Sequence, residues 1–95
     1  MTLHIITRPE SNSTSIRDCL SVANTGDAIL FIEDGVYCLL DSALLNDIEK
    51  AHIQTYYLSQ DVKARGLCPS STSKPVDYDE FVQLTVAHTA SQTWS

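Results

Sequence analysis

The chain is poor in the features that mark a self-sufficient active site. It has three glycines, Gly26, Gly35 and Gly66, each at a turn signal. No glycine-rich phosphate loop or nucleophile elbow can be assembled from them. The three cysteines, Cys19, Cys38 and Cys68, include no Cys-x-x-Cys pair, which leaves zinc and thioredoxin-type readings without support. An odd, widely spaced set fits reduced thiols in the cytoplasm, not a disulfide framework. The histidines His4, His52 and His88 stand singly, and no metal or other cofactor is expected. Basic residues are few and scattered: Arg8, Arg17, Lys50, Lys63, Arg65 and Lys74, against twelve acids, for a net charge of −6. None clusters to neutralise several phosphates, which argues against direct nucleic-acid binding. No apolar run approaches the roughly 18–20 residues that cross a bilayer. Met1 to Ile6 lacks the basic start and long apolar stretch of a signal peptide and reads as a strand.

What is present is an alternation of strand and helix signals. At 95 residues the chain is expected to be one domain, 1–95, with a limited core whose stability profits from partners. Leu3–Ile6 reads as strand one. Ile16, Cys19, Leu20 and Ala23 recur at helical spacing, and Thr25-Gly26 ends that helix. Ala28–Ile32 is continuously apolar, as in a parallel strand buried on both faces. Asp34-Gly35 stops it, with Asp34 placed to cap a helical turn; an extended continuation also fits. Ala43–Glu49 reads as a helix and Ile53–Leu58 as strand three. Ser59 is placed to cap a helix over Gln60–Arg65, with Gly66 at its C-terminus. Cys68–Lys74 is a Pro/Ser/Thr loop, Pro75-Val76 a brief last strand, and Asp77 or Asp79 caps a final helix. Gln92–Ser95 is a tail. This order predicts an α/β fold: a small flavodoxin-like parallel sheet of four or so strands, flanked by helices on both faces, with right-handed crossovers. Exposed sheet edges invite association.

Several of these pieces form an ordered set: Leu3-His4, Gly26-Asp27, Asp34-Gly35-Val36-Tyr37, Ala64-Arg65-Gly66, Asp77-Tyr78 with Phe81-Val82 and Leu84-Thr85, and Gln92 with Trp94. The set resembles the DsrH/TusB family, within the wider DsrE-like fold. The resemblance implies an accessory subunit, not catalytic alone, of a sulfurtransferase complex. In the TusB branch the partners would be TusC-like and TusD-like sister subunits, in a dimer of heterotrimers. That heterohexamer passes persulfide sulfur from TusA to TusE for 2-thiolation of the tRNA wobble uridine, and its main acceptor cysteine lies on a sister subunit. In the DsrH branch, the DsrEFH complex of sulfur oxidation, a first-helix cysteine occurs where Cys19 stands, so the alternative implied role is a persulfide carrier.

The residues admit two readings of Cys19. A carrier needs a thiolate. Yet Cys19 shares its stripe with Ile16, Leu20 and Ala23, and no Lys, Arg or His lies three or four positions away, so packing is the simpler role. Cys38 is expected to be buried and Cys68 to be the most exposed thiol. Glu33 and Asp34 read as a turn and cap in preference to a magnesium or phosphoacceptor site, since no acidic pair follows strand one. His88 reads as a partly buried histidine with a satisfied ring. The aromatics exceed what so small a core can hold, so Tyr37, Tyr78 and Trp94 are candidate interface residues, Trp94 foremost. Without its partners the chain is expected to be able to pair with itself through the same apolar surfaces.

Overall fold

The computed structural model describes residues 1–9, 11, 14–69 and 73–95. Five strands form one sheet in the order β4-β3-β2-β1-β5, with every neighbouring pair parallel. They are β1 (Thr2–Ile6), β2 (Ala28–Phe31), β3 (Gln54–Leu58), β4 (Lys74–Val76) and β5 (Ala90–Trp94). The helices are α1 (Ser15–Val22), α2 (Ser42–Lys50), α3 (Ser59–Ala64) and α4 (Tyr78–Ala87), with a 3-10 segment over Glu33–Leu40.

Alternation along the strands divides the core into two layers. Ile6, Ile29 and Phe31 meet Ile16 and Cys19 of α1, Val36 and Leu39 of the 3-10 segment, Leu44 and Ile48 of α2 and Val62 of α3. Leu3, Ile5, Ala28, Leu30, Leu58 and Val76 face the other way, where Phe81 and Leu84 of α4 pack against them. This asymmetry follows from the topology. Three successive crossovers of one hand step β1→β2→β3→β4 and lay their helices on one face. The last crossover returns past β1 to β5, so the same hand puts α4 on the opposite face.

Local chemistry explains most boundaries. The Asp41 carboxylate accepts from the Leu44 N–H at 3.1 Å and starts α2. At α4, Asp77 accepts from the Glu80 N–H while Glu80 accepts from the Asp77 N–H, a reciprocal capping box. The α3 exit uses Gly66 at φ +64°, and the Leu67 N–H reaches back to the Val62 carbonyl at 3.1 Å.

Four expectations change. Ser59 does not cap α3; it is the first residue of the helix, and Leu58 precedes it without a side-chain cap. Asp34 makes no capping hydrogen bond, because its carboxylate is taken by Arg65. The C-terminal tail is a fifth strand: Thr2–Ile6 pairs with Ala90–Trp94, residue for residue. The loop expected over Cys68–Lys74 yields Lys74 to β4, and Ser70–Thr72 lie outside the described residues. Among the described residues, no helix is long and apolar enough to cross a membrane.

Candidate functional site

In an open parallel sheet, ligands gather at the carboxyl ends of the strands. Here that end carries the Asp34-Gly35 and Arg65-Gly66 pieces of the sequence, brought together. The Arg65 guanidinium donates through Nε to Asp34 Oδ1 at 3.1 Å and places Nη2 3.0 Å from the same oxygen. Its Nη1 donates to the Asp61 carbonyl at 3.3 Å. Asp61 Oδ2 in turn accepts from the backbone N–H of Glu33 at 2.6 Å, and Glu33 sits at φ +51°. A left-handed non-glycine residue is uncommon and is held here by that charge-assisted bond. Gly35 follows because a Cβ there would run into the Ile6 carbonyl oxygen. The cluster therefore fixes the chain where β2 leaves the sheet. Its acids are committed to a guanidinium and to backbone, and among the described residues no group of three or more His, Cys, Asp or Glu side chains is placed to hold a metal.

A second cluster joins three more pieces of the sequence, read singly above. His4 is buried on β1 and directs Nε2 to Asp27 Oδ2 at 3.0 Å. Trp94 Nε1–H can only donate, and it donates to His4 Nδ1 at 3.2 Å. Nδ1 is therefore the acceptor, and the proton resides on Nε2 facing Asp27. Asp27 also accepts the backbone N–H groups of Thr2 and Asn24, each at 3.0 Å. Burial works to raise the Asp27 pKa, but these hydrogen bonds from Asn24, Thr2 and His4 outweigh it and bring it down to about 2. The network ties β5 to β1 and to the turn before β2. A histidine among apolar neighbours of a short strand, with an acid just before the next strand, is the signal that could have announced it.

Cys19 packs beside this network. It is fully buried, and burial, with the Asp27 carboxylate adding to it, pushes the thiol up to about 12. Such a thiol is held in its protonated form at neutral pH, and the protonated form is the poor nucleophile of the pair. Cys38 is buried, with its sulfur 3.9 Å from the Arg8 carbonyl, and Cys68 is exposed, both as the sequence suggests. The His88 ring is half-buried and Nδ1 donates to the Leu84 carbonyl at 2.7 Å, also as expected.

The three aromatic candidates do not converge. Tyr37 is exposed on the 3-10 segment, on the first face of the sheet, and Tyr78 is exposed on α4, on the second. Trp94 is half-buried, packed against the first core layer and bonded to His4. A cleft of about 410 Å³ between α2 and the starts of β3 and β4 is lined by Ile48, Glu49, His52, Gln54 and Lys74. It opens at the amino ends of the strands, away from the usual ligand position.

Comparison with known proteins gives a consistent picture. The family model for DsrH-like proteins matches residues 9–91. Protein TusB of Escherichia fergusonii is 36% identical over 84 residues, covering 85% of this chain and 88% of the relative. Protein TusB of Escherichia coli O1:K1 / APEC is likewise 36% identical over the same coverage, and that of Shigella boydii serotype 18 is 34% identical. Among solved structures, the ychN protein of E. coli superposes with a TM-score of 0.73 at 14% identity, over 98% of both chains. At that identity the likeness concerns the fold alone.

Proposed function

The chain belongs to the DsrH family, and on that premise we propose that it is the TusB-like structural subunit of a cytoplasmic sulfur-relay complex. As a single domain it joins TusC-like and TusD-like sister subunits in a dimer of heterotrimers. The complex passes persulfide sulfur from a TusA-like donor to a TusE-like acceptor, toward 2-thiolation of the tRNA wobble uridine. The chain's own task is to shape the assembly that presents a sister subunit's cysteine.

The observation that carries this reading is the state of Cys19. Sulfur transfer begins when a thiolate attacks the outer sulfur of a donor persulfide and expels the donor thiolate. Cys19 is fully buried, and its thiol is pushed up to about 12. Neither access nor ionisation supports the carrier role of a DsrEFH-type subunit. Its place on α1 with Ile16, inside the first core layer, supports packing.

The test is sulfur flux through the assembled complex. The chain and its sister subunits are co-purified, loaded with a persulfide donor, and read by intact mass for the gain of one sulfur on each subunit. The expected gain lies on a sister subunit, and Cys19→Ala and Cys19→Ser complexes pass sulfur at the wild-type rate. A sulfur adduct on Cys19, or a tenfold loss of flux in both variants with the assembly intact, would overturn the structural role.

A further inference from the structure

Both ring nitrogens of the buried His4 are in use. Nε2 carries the proton and directs it to Asp27 Oδ2 at 3.0 Å, while Nδ1 accepts from Trp94 Nε1–H at 3.2 Å. The second bond exists only while Nδ1 keeps its lone pair. An imidazolium donates from both nitrogens, so a proton on Nδ1 sets one N–H against another. Turning the ring over changes nothing, because the cation has a donor at either position. Nor does the cation gain the face of the indole. The ring centroids are 6.2 Å apart with the planes at 41°, and the indole approaches through its N–H, on the positive edge of the ring. The main chain of Trp94 is held separately. Its carbonyl accepts from the Thr7 N–H at 3.2 Å and from the Thr7 hydroxyl at 3.1 Å, and neither bond involves His4.

The groups around the ring decide where an added proton goes. From the turn before β2 comes Asp27, whose carboxyl, at about 2, stays ionised in any mildly acidic solution and can pair with an imidazolium. From α1 comes the Cys19 thiol, which is already protonated. The charged neighbours of Cys19 on α1 are exposed and engaged elsewhere, Arg17 with Asp47 of α2 and Asp18 with Thr14. From β2, Ile29 stands opposite His4. From β5, Gln92 stands opposite it, and Ala90–Trp94 holds no ionisable side chain. The Met1 ammonium is bonded to Thr89 Oγ1 at the start of the β1–β5 pair, and the carboxylate of exposed Ser95 lies beyond its end. His4 is thus the group in this network that takes up a proton between pH 8 and 5, the range in which a histidine changes charge. We propose that protonation of His4 releases the Trp94 side chain while β5 stays paired with β1, a pH-operated latch at the end of the last strand. The latch is closed above the histidine range and opens as pH falls through it. Opening frees an indole that otherwise packs, half-buried, against the first core layer.

The experiment follows the single tryptophan of the full chain by acrylamide quenching and emission wavelength, with far-ultraviolet circular dichroism recorded on the same samples. The quenching constant is expected to rise roughly twofold from pH 8 to pH 5, with emission moving to the red and circular dichroism unchanged. His52→Gln and His88→Gln are expected to keep this step, and His4→Gln to abolish it. Should His4→Gln fail to fold, nitrogen chemical shifts of the wild-type histidine rings carry the same expectation. His4 Nδ1 is then unprotonated at pH 8 and gains its proton in step with the indole signal. A quenching constant that stays flat would overturn the latch. So would a step that survives in folded His4→Gln, a step that disappears in folded His52→Gln or His88→Gln, or a His4 ring still neutral at pH 5. Loss of circular dichroism with the same midpoint would show unfolding in place of side-chain release, against the proposal.

Discussion

Replacing Asp27 by asparagine probes the network that closes the sheet. The carboxylate accepts three hydrogen bonds of 3.0 Å, from Thr2 N–H, Asn24 N–H and His4 Nε2. An asparagine keeps the shape, but its NH₂ group must face one of these donors. One buried donor is then left unsatisfied and the charge-assisted bonds become neutral ones. Together these cost about 2–3 kcal/mol. For a domain of this size that lowers the melting temperature by roughly 10–20 °C. The acid dependence gives a second measure. A carboxylate whose folded pKa is about 2, against 3.8 for the unperturbed group, stabilises the fold above the unfolded value. That stability is lost as pH falls from near 4 toward 2, and after screening it amounts to about 1–2 kcal/mol. Thermal and urea unfolding followed by circular dichroism, and by fluorescence of the single Trp94, reads both effects. Asp27→Asn should be less stable than wild type at pH 7 and should lack the part of the acid loss that Asp27 contributes between pH 4 and 2. A variant within 0.5 kcal/mol of wild type at pH 7, or one with an undiminished acid loss, would refute the assignment of the network as the clasp on β5.

Two further outcomes follow from the packing. Gly35→Ala drives a methyl group into the Ile6 carbonyl oxygen, a backbone atom that cannot rotate away. A loss of about 2 kcal/mol or more in urea unfolding is expected, and a neutral variant would mean that the turn after β2 relaxes freely. Thiol labelling of the native chain at pH 7 should modify exposed Cys68 first, with Cys19 and Cys38 protected until unfolding. Labelling of Cys19 at the rate of Cys68, read by peptide mass mapping, would contradict its burial.

The division between legible and illegible parts follows the range of the interactions. Ala28–Phe31 was legible as a fully buried strand because its apolar run records burial on both faces. Asp77 or Asp79 marked the start of the last helix, and the structure selects Asp77, whose capping box with Glu80 is complete within four residues. Gly66 ended α3 for an equally local reason, its positive φ. Cys19 on an apolar helical stripe already argued for packing. The family set read along the chain also pointed to the right fold, and its pieces prove to meet in space, as Asp34 with Arg65 and His4 with Asp27 and Trp94.

Ala90–Trp94 could not be read as a strand, because Ala90 to Thr93 are exposed and carry no apolar alternation. Its backbone pairing with β1, and the Trp94 bond to His4, supply what its side chains lack. Asp34 was read as a cap because Arg65, thirty-one positions away, is invisible to a local argument. His4 looked solitary for the same reason. By itself the sequence determined what short-range physics can write: hydrophobic period, caps, turn glycines and the sign of the charge. The tertiary structure decided which polar groups became partners and which apolar groups stayed uncovered. Burial and hydrogen-bond satisfaction are properties of the whole packed arrangement: Phe81 and Leu84 of α4 meet the sheet, while Tyr78, Val82 and Val86 of the same helix stay exposed.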